Sequence, residues 1–523
     1  MNSATPINHK RATNAGVRNY ALLFAGCVLF HIAGTWSLPL IDRDEPRFAE
    51  ASREMIERGD YVVPYFNNHF RFDKPPLTYW AQIASYKIFG ENDFAARFPS
   101  VIAAALTALS IFAWGSRVGT ARVGWWSAII FTLSLQTFLH AKAAVADMWL
   151  VLFVTLAHRA GYELLRHRLS RPADQTSDLK HQTSHWWWVF YLSLAFGFLA
   201  KGPIGWIPLL TVGLTMVFLR ETPLAHRFAF GRGLLLMLSI VALWGIPALI
   251  QTHGQFFVVG IGRHVIGRSL TTMEGHGANS FGMYLLLLPF YFATIFLSFF
   301  PWSIKLPWLI RKLWSERKAG IICLRQGNAG QAVPAYNGNK IDNYLVIGIA
   351  IIFVIFTLVK TKLPHYTLPA FPLLALLLAR RLAAENAARF FRNCVLASAS
   401  AYLAIALVVP PFVARLFPAY QLFQESRDYL RPNMEFGAVD FNEPSLVWYF
   451  RSPEGVRGFL VPLNNRRAAD FMQSSGPRFV VLPTSIAGTV FAEHPENLKM
   501  FSTHGFNIAK GKRIDLTLVL KPE

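Results

Sequence analysis

Apolar stretches of about 15–25 residues recur from Tyr20 to roughly Pro418, and a helix of that length is what crosses a bilayer. Runs near 20–40, 97–116, 123–139, 146–164, 186–200, 203–219, 233–251, 282–308, 344–360, 366–379 and 394–416 predict an all-α polytopic membrane protein with about 11 transmembrane helices. The run 282–308 carries Pro289, Pro301 and Pro307, so a kink or break is expected there; 366–379 is the shortest. Composition agrees. The 523 residues are 53% hydrophobic and only 15% charged, against the roughly 25% charged residues of soluble chains, and the mean hydropathy is +0.33. A disordered chain and an ordinary cytosolic enzyme are excluded. Three cysteines, Cys27, Cys323 and Cys394, without metal-ligand spacing, exclude a disulfide scaffold.

Lys and Arg outnumber Asp and Glu by 51 to 30, a net +21. In a soluble chain that excess would raise nucleic-acid binding. Here the basic residues gather in short loops, at Arg117/Arg122, Arg166/Arg168/Arg171, Arg220/Arg227/Arg232, Arg311/Lys312/Arg317/Lys318 and Arg380/Arg381/Arg389/Arg392. The positive-inside rule puts these loops and the N-terminus in the cytoplasm, and no nucleic-acid partner is implied. Lys10, Arg11 and Arg18 resemble the charged start of a signal peptide. The apolar core that follows is long and ends in Ser37-Leu38-Pro39-Leu40, which predicts an uncleaved first helix.

The outer side then receives the loop 41–96, the turns at His140–Val145, Lys201-Gly202 and Thr361–Pro364, the loop 252–281, and the tail. A transmembrane domain is expected over 1–418 and a C-terminal periplasmic α/β domain over 419–523. In the tail, alternating runs at Ser445–Phe450, Arg478–Leu482 and Asp515–Leu520 predict strands, and Arg466–Gln473 a helix. Gln326–Lys340 reads as a cytoplasmic linker.

Chemistry concentrates on the outer side. Phe48, Ser52, Met55 and Ile56 share one helical face, predicting an amphipathic helix on the membrane surface, with Asp44 as its N-cap and Glu45 in its first turn. Lys74 sits between Asp73 and Pro75-Pro76: either a snorkelling lysine or a cation held at the depth of lipid phosphates. Asp147 has no local charge to offset it at a span end, where carboxylates are costly unless they face water or a partner. Lys201, Lys362, His365, Tyr366, His264 and Arg268 map to the same side. Cations there suit a lipid-linked phosphate, stabilising charge that develops as it leaves, while a carboxylate accepts the proton of an attacking hydroxyl.

The order Asp44-Glu45-Pro46-Arg47-Phe48-Ala49-Glu50, Arg53-Glu54-Met55, Gly59-Asp60, Pro64, Asp73-Lys74-Pro75-Pro76-Leu77, Tyr79-Trp80, Phe89-Gly90 and Ala96-Arg97-Phe98 resembles the first loop of bacterial aminoarabinose transferases, within the wider lipid-linked-sugar glycosyltransferases that include protein O-mannosyltransferases. Asp147, Ala200-Lys201-Gly202-Pro203, His264 with Arg268, and Lys362-Leu363-Pro364-His365-Tyr366 match further stretches in order, so the resemblance covers about residues 20–380. It implies a GT-C type membrane glycosyltransferase of the bacterial inner membrane, with a polyprenyl-phosphate sugar donor and a periplasmic site. By resemblance Asp44, Glu45 and Asp147 are the candidate catalytic carboxylates. Lys74 and Arg268 would grip the donor phosphate, and Lys201, Tyr366, Lys362 and His365 would line the substrate cavity. Asp73, where the family carries Glu, and His264 are candidates for a divalent metal ion. The expected acceptor is lipid A or a related envelope glycolipid; a protein hydroxyl is the alternative. A transporter or flippase would show internal repeats and mid-span charges, and neither is visible.

Overall fold

A computed structural model describes residues 16–166, 177–218, 222–267, 280–325, 340–491, 497–508 and 510–522; side chains are described for all of these except 177–184, 222–224, 264–266 and 319–325. Arg268 and most of the 326–340 linker lie outside the described residues.

The chain opens with α1 (Val17–Ile32), then a first loop built of α2 (Asp44–Arg58), a small hairpin β1 (Tyr65–Phe66) and β2 (His69–Phe70), and α3 (Leu77–Phe89). Next come α4 (Asp93–Val118), α5 (Ala121–Thr132), α6 (Leu135–His140), α7 (Asp147–Arg166), α8 (Ser177–Lys201), α9 (Ile207–Phe218) and α10 (Phe230–Gln251). The run 282–308 breaks at its prolines into α11 (Phe281–Leu286), α12 (Phe290–Ser298), a 3₁₀ turn at Trp302–Lys305 and α13 (Leu306–Arg325). The helices α14 (Lys340–Leu358), α15 (Phe371–Ala384) and α16 (Ala388–Ala414) follow. Among the described residues five segments are long and apolar enough to cross a membrane: Asp93–Val118, Ala225–Gln251, Lys340–Leu358, Pro364–Ala384 and Ala388–Ala414. Val17–Ile32 and Pro203–Phe218 are shorter apolar helices. The short run 366–379 thus falls inside a span-length segment, because the 3₁₀ turn Pro364–Ala370 continues directly into α15.

Small residues let these helices approach. A methyl group added at Gly124 would overlap Ser116 Oγ and the Phe112 carbonyl, so α4 and α5 meet backbone to backbone there. A methyl at Gly205 would overlap the Gly197 backbone, which pins the turn after α8 against that helix. We expect Gly205→Ala to push this turn outward at a cost of about 1–3 kcal/mol. It would lower both the thermal midpoint and donor turnover; unchanged values in detergent-purified protein would refute the close packing.

The helix α2 is enclosed by protein on nearly every side. Residues 45 and 46 and 48 to 55 are all buried. Phe48, Ala51 and Met55 pack on Tyr79 and Ile83 of α3, while Ala49 faces a second core shared with residues of the tail. Its charged face is paired: Arg53 Nη1 donates to Glu50 Oε2 at 2.7 Å and Arg53 Nε to Glu91 at 2.8 Å, while Arg451 binds Glu50 and donates to Glu57 at 2.6 Å. The polar side of this helix is an ion-pair network that includes Arg451, some 400 positions away.

The tail folds as α17 (Pro418–Ser426), β3 (Glu435–Val439), α18 (Pro444–Phe450), β4 (Leu460–Leu463), α19 (Asn465–Gln473), β5 (Arg478–Pro483), α20 (Thr484–Val490), β6 (Lys499–Asn507) and β7 (Lys512–Lys521). Its sheet runs β4-β3-β5-β7-β6, with β3 parallel to β4 and β5, and β7 antiparallel to β5 and β6. Period two sorts β5 between two cores: Phe479 and Val481 join Leu516, Leu518 and Leu520 on one face, and Val480 and Leu482 join Val519 on the other. Residues 445–450, read as a strand, are helical. Pro444 sits in the first turn and every residue of the helix is buried, so packing overrides the β-propensity of Val-Trp-Tyr-Phe.

Candidate active site

At the end of the bundle that carries the first loop, a cavity of about 200 Å³ opens between α7, the turn after α8, the segment Phe256–Gly267 and the 3₁₀ turn Pro364–Ala370. Phe72, Leu150, Ile204, Phe256, Ile355 and Phe356 make its walls apolar. Its polar groups come from Asp73, Lys74, Asp147, Lys201, His365 and Tyr366.

Each polar group is set by its element. Asp147 is the first residue of α7, where the helix dipole favours a negative charge. Lys201 ends α8, and Gly202, at φ 80°, makes the left-handed turn into Pro203 that a side chain would strain. Lys201 Nζ therefore donates to Asp147 Oδ1 at 2.6 Å and stands 5.7 Å from the ring centre of Tyr366. His365 Nε2 lies 4.0 Å from the same carboxylate oxygen, and its ring is 4.9 Å from that of His140. Lys74 Nζ donates to Asp73 Oδ1 at 2.7 Å, and Arg71 Nη2 donates to Asp73 Oδ2 at 3.2 Å. Arg71 is braced in turn by the Tyr79 hydroxyl at 3.0 Å and lies 5.2 Å over the Phe48 ring. Burial works against the Arg71 charge, but Tyr79, Asp73 and, more weakly, Asp44 offset it, and its pKa rises.

The structure brings together Asp147, Lys201, His365, Tyr366, Lys74 and Asp73, and removes two candidates. Glu45 is not a catalytic carboxylate in this arrangement. It accepts from Arg97 at 3.0 and 2.7 Å and from the backbone N–H groups of Ile41 and Ala144, both at 2.7 Å, which leaves it buried and committed. Lys362 does not reach the cavity either. Its ammonium donates to the Phe356 and Thr357 carbonyls, at 3.1 and 2.5 Å, closing the C-terminus of α14. We expect Glu45→Gln to cost about 1.5–3 kcal/mol of stability, the value of hydrogen bonds to a charged group. Turnover of the protein that remains folded should be retained, which activity normalised to folded protein would check.

Asp44 is the first residue of α2, not its N-cap. Arg43 holds that position, without a side-chain cap. Asp44 is exposed and, among the described residues, its carboxylate has no hydrogen bond or ion pair. His264 falls within the segment Phe256–Gly267, and its side chain lies outside the described residues. For a metal, Asp73 fits poorly, since both its oxygens already bind cationic side chains. Sequence reasoning missed Arg71 and the ring of His140; the only signal was their place, one beside the Asp-Lys-Pro-Pro stretch and one at the edge of an outer turn.

A model for the dolichyl-phosphate-mannose-protein mannosyltransferase family matches residues 73–246. A protein of Aquifex aeolicus is 31% identical over 229 residues, covering 44% of this chain and 49% of that protein. The undecaprenyl phosphate-alpha-4-amino-4-deoxy-L-arabinose arabinosyl transferase of Pectobacterium atrosepticum is 28% identical over 367 residues, covering 68% of this chain and 57% of that enzyme. The chain thus spans about half to three fifths of the length of these curated relatives. The crystal structure of ArnT from Cupriavidus metallidurans bound to undecaprenyl phosphate aligns with a TM-score of 0.70 at 17% identity, over 97% of this chain and 98% of that one. In sequence the chain is similar to aminoarabinose transferases. Its fold is similar to that of ArnT over 97% of the chain. The family match begins at Asp73 and includes Lys74, Asp147 and Lys201 of the cavity.

Proposed function

We propose that this chain is an inner-membrane glycosyltransferase that moves a sugar from a polyprenyl (undecaprenyl) phosphate to an acceptor on the periplasmic side. One observation carries the reading: two ammonium groups, Lys74 and Lys201, and the carboxylate of Asp147 line one apolar-walled cavity. The walls suit the first units of a polyprenyl chain, and the cations suit its phosphate. Lys201 donates to Asp147 at 2.6 Å and Lys74 to the Asp73 carboxylate and carbonyl at 2.7 and 3.2 Å, so both ammonium groups are held in position at the cavity wall, where a phosphate would meet them. The likeness to the Pectobacterium arabinosyl transferase and to ArnT with undecaprenyl phosphate bound supports the donor class.

The acceptor oxygen attacks the anomeric carbon, the bond from that carbon to the phosphate oxygen breaks, and polyprenyl phosphate leaves with the electron pair. Lys74 and Lys201 meet the negative charge as it develops. Lipid A or a related glycolipid is the proposed acceptor. A phosphate acceptor is already an anion and needs no base; a hydroxyl needs one. Asp147, tied to an ammonium, is a weak base. Asp44, exposed and without an ion pair among the described residues, is the better proton acceptor.

The test is transfer from a radiolabelled polyprenyl-phosphate sugar by protein in lipid vesicles, reading free polyprenyl phosphate and labelled acceptor. Lipid translocation without transfer to any acceptor would overturn the reading. Asp44→Asn should slow transfer to a hydroxyl acceptor by about 100-fold and leave a phosphate acceptor nearly unaffected.

A further inference from the structure

Asp147 uses only one of its oxygens. Oδ1 takes the Lys201 ammonium, and among the described residues Oδ2 accepts no hydrogen bond. Two imidazoles stand beside it, from two further elements: His140 ends α6 and His365 opens the 3₁₀ turn Pro364–Ala370. One ligand atom from each of the three residues lies within 4.8 Å of the other two. Donor atoms around a tetrahedral zinc-sized ion bound at about 2.0–2.1 Å are roughly 3.3 Å apart, so side-chain rotations of about an ångström would close the set. His365 Nε2, at 4.0 Å from Oδ1, is too far for a hydrogen bond and near enough to share an ion. The Gln136 side-chain amide lies 2.9 Å from His140 Nδ1; turned so that its oxygen accepts from Nδ1–H, it would leave Nε2 bare for the ion.

We propose that His140, Asp147 and His365 form a binding site for a divalent transition metal of the zinc and cobalt class, distinct from Asp73, and that Lys201 holds Asp147 until the ion arrives. Two nitrogens and one carboxylate oxygen suit this class better than calcium or magnesium, which take oxygen ligands. The ion and Lys201 compete for one carboxylate. On binding, the ion frees the ammonium inside the cavity beside Lys74, adding positive charge where an anionic ligand sits. Metal and phosphate therefore strengthen each other's binding. The site itself does not depend on the transferase reading, because it is tested without donor or acceptor.

The full chain, purified in detergent and stripped with a chelator, is titrated with Co²⁺. One equivalent should bind, with ligand-field absorption in the visible range and nitrogen couplings in the electron spin-echo spectrum. His140→Gln and His365→Gln should each weaken binding at least about 10-fold, whereas Asp73→Asn should leave it unchanged. Lys201→Met should tighten it by removing the competitor, and this arm stands even where a histidine variant misfolds. Inorganic phosphate should tighten Co²⁺ binding in the unaltered chain. Binding no greater than in detergent alone, binding indifferent to both histidines, loss only with Asp73→Asn, or no gain with Lys201→Met would each overturn the proposal.

Discussion

Replacing Lys74 with alanine will cut sugar release from a polyprenyl-phosphate donor by at least about 100-fold, the usual loss when one group that stabilises developing charge is removed. The size of the effect follows from the position. Lys74 is held by Asp73, which is itself held by Arg71, and Arg71 is fixed by the Tyr79 hydroxyl and the Phe48 ring. The ammonium is thus in place before the phosphate arrives, and the site need not reorganise as charge builds. Lys74→Arg should recover only part of the rate, because a planar guanidinium cannot reproduce the short bond to Asp73 and point the same donors into the cavity. Protein yield and thermal midpoint should stay close to those of the unaltered chain, because Asp73 keeps its ion pair to Arg71 when Lys74 is removed. Wild-type turnover in Lys74→Ala would remove this residue from the site.

The second large effect is on stability. Arg451→Ala is expected to cost about 3–5 kcal/mol, as when one partner of a buried ionic network is deleted. Arg451 is buried and serves Glu50, Glu54 and Glu57 of α2 at once. Without it Glu50 keeps Arg53, but Glu54 retains only Arg58, at 3.6 Å, and the Asn67 and Asn68 amides. The thermal midpoint in detergent should fall, and proteolysis should open the first loop and the tail together. Arg451→Met restores packing volume but not charge, and should remain destabilised. If both variants melt like the unaltered chain, α2 is held by its apolar contacts alone.

Much of the site was readable from the sequence because its members are marked by side and type. Asp147, Lys201, His365 and Tyr366 all sit at span ends on one face of a topology fixed by basic loops, and they do share a cavity. The pairing was not readable. Nothing near Asp147 announces that its partner is Lys201, and Lys362 looked equivalent until two carbonyls at the end of α14 claimed its ammonium. Glu45 misled for the same reason: a carboxylate at a helix start is consistent with chemistry, capping or an ion pair, and only Arg97, 52 positions on, decides among them. In the tail, β5 and β7 were legible by alternation. The helix Pro444–Phe450 was not, because a fully buried element carries no period to read.

The contacts between α2 and residues 445–451 bear on when this protein can work. Asp42 receives the Ser445 backbone and hydroxyl, Arg53 reaches the Trp448 carbonyl, and Glu50 and Glu54 receive Arg451. The first loop leaves the ribosome hundreds of residues before these partners exist. A nascent chain halted anywhere short of residue 451 carries Lys74 in its first loop and Asp147 at the start of α7, yet its α2 stands with unmatched acids and an uncovered apolar flank. Translation itself therefore acts as the timer: the loop that aims the phosphate grip settles only as the last fifth of the polypeptide is made.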